Sequence, residues 1–194
     1  MRVIAFYGFF DLKEIEETKI KINKFFKDIE IKGIIIIAHE GLNGTIAVPK
    51  TDEIKTISFL EELGVKKDYI KISNFDGKRV FKSFKIKVKK EIVTSDFDLT
   101  IDDINKGQFI DPHSWEEFIS QDNVVIIDTR NDYEFKIGHF NNAINPGIKT
   151  FKEFKNYLDS NKKKLEGKKV AVYCTGGIRC EKAGPLMQKH GIDA

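Results

Sequence analysis

Cys174 closes an apolar run, KKVAVYC (168–174), and is followed by Thr175, Gly176, Gly177, Ile178 and Arg179. The paired glycines let the backbone curl so that its N–H groups face the thiol. The stretch from Arg179 to His190 has the pattern of a helix opening just beyond. Backbone N–H groups and a positive helix terminus together stabilise an anion at the centre of such a loop. A thiol placed there is expected to have a lowered pKa and to exist largely as a nucleophilic thiolate. Arg179, five residues on, offers a planar fork able to hold an anionic substrate group or the loop itself. The spacing also excludes chemistry. A cradle that wraps a tetrahedral phosphate needs Cys-x5-Arg, and Cys-x4-Arg makes a tighter ring, suited to a single sulfur or a small planar group. The bland alternative, a buried structural cysteine at a strand end, does not account for the two glycines, the arginine and the helix together.

Other residues near this loop carry open alternatives. Cys180 lies six residues after Cys174 at the helix start, where it is either a resolving thiol that takes an oxidised Cys174 into an internal disulfide or a small packing residue. Asp128, Arg130 and Glu134 follow a buried strand. Carboxylates at such a strand end can line an active site, but an ion-pair network that fixes the loop under Cys174 is the simpler expectation. His39 and Glu40, without further His or Cys nearby, do not make a metal site. His113, His139 and His190 are scattered, so no metal is expected.

Seven cations crowd into KRVFKSFKIKVKK (78–90): Lys78, Arg79, Lys82, Lys85, Lys87, Lys89 and Lys90. Strict alternation sets Phe84, Ile86 and Val88 toward a core and Lys85, Lys87 and Lys89 on the opposite face. Such a face is either solvated, with Lys guarding a sheet edge, or a surface for nucleic-acid phosphates. Lys suits backbone attraction and gives little base readout.

The elements that must hold these residues fall into two sets. Arg2 to Tyr7 reads as a strand. Leu12, Ile15, Ile22, Phe25, Phe26 and Ile29 recur at helical spacing over about 11–28. GIIIIA (33–38) is a buried strand, Asn43-Gly44 punctuates a hairpin into TIAVP (45–49), and Thr51 is placed to cap a helix carrying Ile54, Ile57, Leu60 and Leu63 before Gly64. Strand-like Tyr69–Ile72 and FKIKVKK (84–90) follow. This β-α-β-β-α-β order matches the split βαβ, ferredoxin-like plan over residues 1–93. Residues 94–112, rich in Asp, Asn, Gly and Pro, are expected to be a loosely packed linker. From 113 onward, a Ser114-capped helix, the strand NVVIID (123–128), a helix at Phe151–Leu158, the strand ending at Cys174 and the helix from Arg179 indicate an α/β unit with a parallel sheet.

Composition agrees. In 194 residues, 41% hydrophobic and 32% charged side chains can build cores and remain soluble. No apolar run approaches the ~20 residues that span a bilayer, the N-terminus lacks a signal-peptide pattern, and two cysteines exclude a disulfide scaffold. Residues 1–95 carry 19 Lys+Arg against 14 Asp+Glu, whereas residues 96–194 carry 14 against 16, so the basic surplus belongs to the first half. Only four cations are Arg (Arg2, Arg79, Arg130 and Arg179), which marks each as a candidate for a geometric role.

Two segments resemble rhodanese signatures: IIDTRNDYEFKIGHFNNAINPG (126–147) and the loop VYCTGGIRCEKA (172–183). Together with AHEGLNGTIA (38–47) and FKIKVKKEIV (84–93), the narrower wording CTGGIRCEKA resembles the rhodanese-domain tRNA uridine hydroxylase family, over essentially the whole chain. That resemblance implies a ferredoxin-like domain that presents RNA, followed by a rhodanese-like domain. It implies oxygen-dependent 5-hydroxylation of the wobble uridine, with molecular oxygen as co-substrate and no other cofactor evident. Partners would be tRNA through its anticodon loop and no membrane, in the cytoplasm. By position, Cys174 would be the catalytic cysteine, and in rhodaneses the loop of residues 175–179 holds a cysteine persulfide. A persulfide-carrying sulfurtransferase is the alternative, and a binding module with a vestigial loop a third. AHEGLNGT is either a hairpin turn or a loop that meets RNA or faces the Cys174 pocket across the domain boundary. The rhodanese unit at 113–194 is shorter than a complete one, so its closing strand is expected to be missing.

Overall fold

The computed structural model describes residues 1–77 and 81–194, and the chain divides into two compact units, Met1–Ile92 and Val93–Ala194. Lys78 and Arg79 lie outside the described residues.

The first unit runs β1 (Arg2–Phe9), α1 (Ile15–Phe25), β2 (Lys32–Ala38), β3 (Gly41–Val48), α2 (Glu53–Glu62), β4 (Ile70–Asn74) and β5 (Phe84–Val88). The sheet order is β4-β1-β3-β2-β5, antiparallel except for the β2–β5 pair. This is the ferredoxin-like plan with a fifth strand added beside β2. Alternation sorts the faces. Ile4 and Phe6, Ile35 and Ile37, and Leu42 and Ile46 are buried with Ile22 of α1 and Phe59 and Leu60 of α2 in one core.

Three details depart from the sequence-based expectations. The hairpin turns at His39-Glu40, since Ala38 pairs with Gly41, and Asn43 and Gly44 lie inside β3. Gly44 serves close approach instead of turning: a Cβ there would sit 2.6 Å from the Phe6 ring and 2.8 Å from the Ile34 carbonyl oxygen. The turn segment is tied to the end of the unit, with Ile92 N–H donating to Glu40 Oε1 at 2.7 Å and Asn43 Nδ2 donating to the Ile92 carbonyl at 2.9 Å. Helix α2 is rotated from the stripe predicted for it. Ile54 is 79% exposed, while Thr56, Phe59 and Leu60 are buried. Phe59 stacks on Phe25 with ring centres 3.9 Å apart, and Thr56 spends its hydroxyl on the Asp52 carbonyl, so a threonine can be enclosed there.

The second unit contains α3 (Ile101–Asn105), α4 (Trp115–Ile119), β6 (Val124–Asp128), α5 (Asp132–Ile137), α6 (Phe154–Leu165), β7 (Lys169–Tyr173) and α7 (Cys180–Lys189). Residues 94–112, expected to be a loose linker, instead belong to this unit. Val93, Phe97 and Leu99 pack on its core, and Phe97 meets the Phe151 ring edge-on at 5.1 Å. Helix α3 starts with a capping box in which Thr100 and Asp103 satisfy each other's N–H groups. Asp111, and not Ser114, caps the turn that leads into α4, accepting from His113 N–H at 2.8 Å. Strands β6 and β7 run parallel, from Val124 opposite Lys169 to Asp128 opposite Tyr173. Ile144 adds a parallel bridge beside Ile127, and Asp193 adds one beside Lys169. Ile127, Val170, Phe154, Leu158, Leu186 and Met187 form the core between sheet and helices. Among the described residues, no helix is long and apolar enough to cross a membrane.

Candidate active site

The parallel register of β6 and β7 ends level at Asp128 and Tyr173. The next residues, Thr129 and Cys174, therefore leave the sheet side by side at its carboxyl edge, where ligands bind in open α/β sheets. Thr129 N–H continues the ladder to the Tyr173 carbonyl at 3.0 Å, and the Thr129 hydroxyl donates to the same oxygen at 2.9 Å.

From Cys174 the chain makes a tight loop back over its own sulfur. Gly177 N–H donates to Cys174 Sγ at 3.0 Å. Gly177 holds φ at +96°, in the left-handed region that favours glycine, and this aims its N–H inward. The loop closes onto α7 as Cys180 N–H and Glu181 N–H both bond to the Gly177 carbonyl, at 2.9 and 3.3 Å. Cys180 is the first residue of α7. Its thiol, the Arg179 backbone N–H and the Arg179 charge outweigh burial and bring the Cys174 pKa down to about 5. Cys174 is therefore a thiolate at neutral pH. Cys174 in turn, together with burial, pushes the Cys180 thiol well up, so Cys180 keeps its proton. The Thr129 hydroxyl lies 3.8 Å from Cys180 Sγ.

Arg179 points at Glu134. Its Nη1 and Nη2 donate to Glu134 Oε2 and Oε1 at 2.7 and 2.8 Å, the two-bond fork available to a guanidinium. The Thr175 hydroxyl donates to Glu134 Oε1 at 2.9 Å. Glu134 thus gathers both ends of the loop. It is aimed by α5, whose start is set when Asn131 N–H donates to Glu134 Oε2 at 3.1 Å. The Arg179 guanidinium, the largest influence, brings the Glu134 pKa down to about 2 against a partial cost of burial. Of the two roles open to Arg179, the geometry places it as a clamp on the loop.

Asp128 and Arg130 form a separate pair on the other side of the strand end. Asp128 is fully buried and takes Arg130 Nε at 2.9 Å and Nη2 at 2.6 Å, while Nη2 also donates to the Gly138 carbonyl at 2.6 Å. Burial pushes the Asp128 carboxyl up and the Arg130 guanidinium more than offsets it, leaving the pKa lowered. The guanidinium lies 5.4 Å over the Tyr173 ring, which packs edge-on against Phe140 at 4.9 Å and Trp115 at 6.4 Å. This pair fixes Tyr173, the residue before Cys174, and the 138–140 turn.

Glu134, Arg179, Thr175, Gly177 and Cys180 thus converge around Cys174, whereas Asp128 and Arg130 support it from behind. No hydrogen bond runs from the side chain of Ile178. Gly176 keeps an ordinary backbone with nothing within 4 Å of where a Cβ would stand. Local sequence patterning alone does not mark Thr129 or helix α5 as part of the site. The spacing Asn131-x-x-Glu134, a capping-box pattern, was the signal for α5. Among the described residues, no three His, Cys, Asp or Glu side chains are grouped to share a metal ion. In the first unit, Lys82, Lys85, Lys87, Lys89 and Lys90 are all exposed, with Lys85 and Lys87 on the edge strand β5. Phe84 and Ile86 pack on the core, but Val88, expected to join them, is 45% exposed.

Residues 1–92 match the family described as UPF0176 acylphosphatase like domain, and residues 111–194 match the rhodanese-like domain family. A protein of Rickettsia conorii named tRNA uridine(34) hydroxylase is 38% identical over 191 residues, covering 98% of this chain and 77% of the relative. One of the same name from Legionella pneumophila (strain Paris) is 39% identical over 196 residues, covering 98% and 75%. A third, from Rickettsia massiliae, is 38% identical over 191 residues. Identity at that level runs through both units, so the chain belongs to the tRNA uridine(34) hydroxylase family.

Proposed function

We propose that this chain hydroxylates C5 of the wobble uridine of tRNA with molecular oxygen, with Cys174 as the catalytic residue. The observation that carries the proposal is a thiolate held in a loop of inward N–H groups, in a chain similar over both units to proteins named tRNA uridine(34) hydroxylase. A thiolate is suited to the step. Addition of Cys174 Sγ to C6 of the uracil turns C5 into an enolate carbon, the electron-rich position that meets oxygen. Two-electron cleavage of the O–O bond sends the outer oxygen off as water and leaves a hydroxyl on C5, and loss of the C5 proton and of the sulfur then restores the ring. Thr175, Gly176, Gly177, Ile178 and Arg179 hold the loop, and Glu134 fixes Arg179 and Thr175. Asp128 and Arg130 position the strand end.

The anticodon loop presents the base without breaking a duplex, so extruding it costs little. Lys82, Lys85, Lys87, Lys89 and Lys90, with Lys78 and Arg79, are proposed to contact tRNA phosphates and to supply affinity more than base choice. The reaction is placed in the cytoplasm, where tRNA is available. Incubation of the purified chain with unmodified tRNA under 18O2 tests the reaction: 5-hydroxyuridine carrying one 18O atom is expected. Label that arrives only from H2 18O would contradict an oxygenase.

A further inference from the structure

The two cysteines of the chain, Cys174 and Cys180, stand at the start and the end of one loop, and each shifts the titration of the other. Cys180 N–H is anchored on the Gly177 carbonyl at 2.9 Å, and Gly177 N–H is anchored on Cys174 Sγ at 3.0 Å, so one glycine ties both cysteines together. The single Thr129 hydroxyl proton goes to the Tyr173 carbonyl at 2.9 Å. Thr129 Oγ, 3.8 Å from Cys180 Sγ, can then only accept there, which suits a Cys180 that carries its proton. Loop closure and helix start together hold a nucleophilic cysteine and a protonated one on the same short loop.

This arrangement bears on the electron count of the proposed reaction, on which the inference rests. Inserting one oxygen atom of O2 into a C–H bond and releasing the other as water takes two electrons more than the C–H bond supplies. A dithiol gives up two electrons when it becomes a disulfide. We infer that Cys180 is a second catalytic residue and that the Cys174–Cys180 pair is the two-electron reductant of each turnover, ending as an intramolecular disulfide.

The atoms balance. Uridine, O2, the Cys174 thiolate, the Cys180 thiol and one proton give 5-hydroxyuridine, water and one S–S bond. After O2 has joined C5 as a hydroperoxide, a thiol of the pair takes the outer oxygen. The O–O bond breaks, C5 keeps a hydroxyl, and that sulfur becomes a sulfenic acid. The other sulfur, freed from C6, displaces the sulfenic oxygen, which leaves as water as the S–S bond forms. An external dithiol then reopens the bond by exchange. Low Cys174 basicity suits it as the leaving sulfur in that exchange.

The test is a single-turnover experiment. The chain is reduced with a dithiol, freed of it under argon, and mixed with unmodified tRNA in oxygenated buffer. Expected are no more than one 5-hydroxyuridine per chain and one Cys174–Cys180 disulfide, lighter by two hydrogens, per product, with further turnover only on adding dithiol. Cys180→Ser keeps a hydroxyl to donate to Cys174 and so keeps its low alkylation midpoint, yet its yield without reductant is expected to fall about tenfold or more. A packing role for Cys180 would leave that yield unchanged. Repeated turnover without reductant, with both cysteines still reduced, would overturn the inference even if Cys180→Ser proves unable to fold. Absence of 5-hydroxyuridine from the wild type with dithiol present contradicts the hydroxylase function itself, and the inference with it.

Discussion

Glu134 and Arg179 lie 45 residues apart in the chain and meet in a two-bond fork, at 2.7 and 2.8 Å, that closes the loop around Cys174. Both side chains are about 15% exposed, so water screens the pair little. Removing one partner leaves the other charge in a largely desolvated place, which costs roughly 2–3 kcal/mol. Glu134→Ala is expected to lower unfolding free energy by about that amount in urea titration and to slow Cys174 alkylation. Arg179→Lys should lose most of the same stability, since an ammonium cannot make two parallel bonds to one carboxylate. A variant of either kind that matches wild type in both readouts would show that the fork does not hold the loop.

The same pair makes stability depend on acid. The folded-state pKa of Glu134 is depressed from 4.5 to about 2, so its contribution is present above about 4.5 and is lost as pH falls toward 2. Glu134→Gln should remove that part of the acid sensitivity. Comparing urea midpoints of wild type and variant at pH 6 and pH 3 measures it: the difference between the two proteins shrinks at the lower pH.

Cys174 is predicted to react with iodoacetamide at a rate that is flat from pH 8 to 6 and half-maximal near pH 5, because its pKa is lowered from 9 to about 5. Cys180→Ala removes the largest cause of that shift and should move the midpoint up, toward the ordinary thiol range. A midpoint of wild type already near 9 would contradict the contacts described here.

Gly177→Ala places a Cβ on a residue with φ of +96°, at a cost of about 1–2 kcal/mol. Relief of that strain turns the N–H away from Cys174 Sγ. The variant should fold, with a lower melting temperature and a raised alkylation midpoint. An unchanged midpoint would remove the Gly177 N–H from the set that stabilises the thiolate.

Reversing Lys85, Lys87 and Lys89 to Glu should weaken tRNA binding and lower the slope of log affinity against log salt by about 2–3, as expected for three lost phosphate contacts. Filter binding at several salt concentrations reads both quantities. Unchanged affinity at low salt would show that this strand face is only solvated.

The Cys174 loop was legible in the sequence because its chemistry is contiguous: strand end, glycines, arginine and helix start follow one another within seven residues. Its clamp was not, because Glu134 reaches Arg179 only after β6 and β7 pair in parallel and α5 turns one side chain back across the strand ends. Glu134 could be named as support without its partner being known. Asn43-Gly44 misled for a physical reason, since glycine serves close strand approach as readily as turns, and the Phe6 ring that demands it here comes from another strand. Residues 94–112 have the composition of a linker, yet two apolar side chains, Phe97 and Leu99, suffice to dock that segment on the second core.

The central claim is that Cys174 carries out hydroxylation of the wobble uridine, and nucleoside mass spectrometry of tRNA tests it most directly. A strain lacking this protein should lose 5-hydroxyuridine and its derivatives, regain them with the wild-type chain, and fail to regain them with Cys174→Ala. Full hydroxylation in the deletion strain, or rescue by Cys174→Ala, would contradict the account.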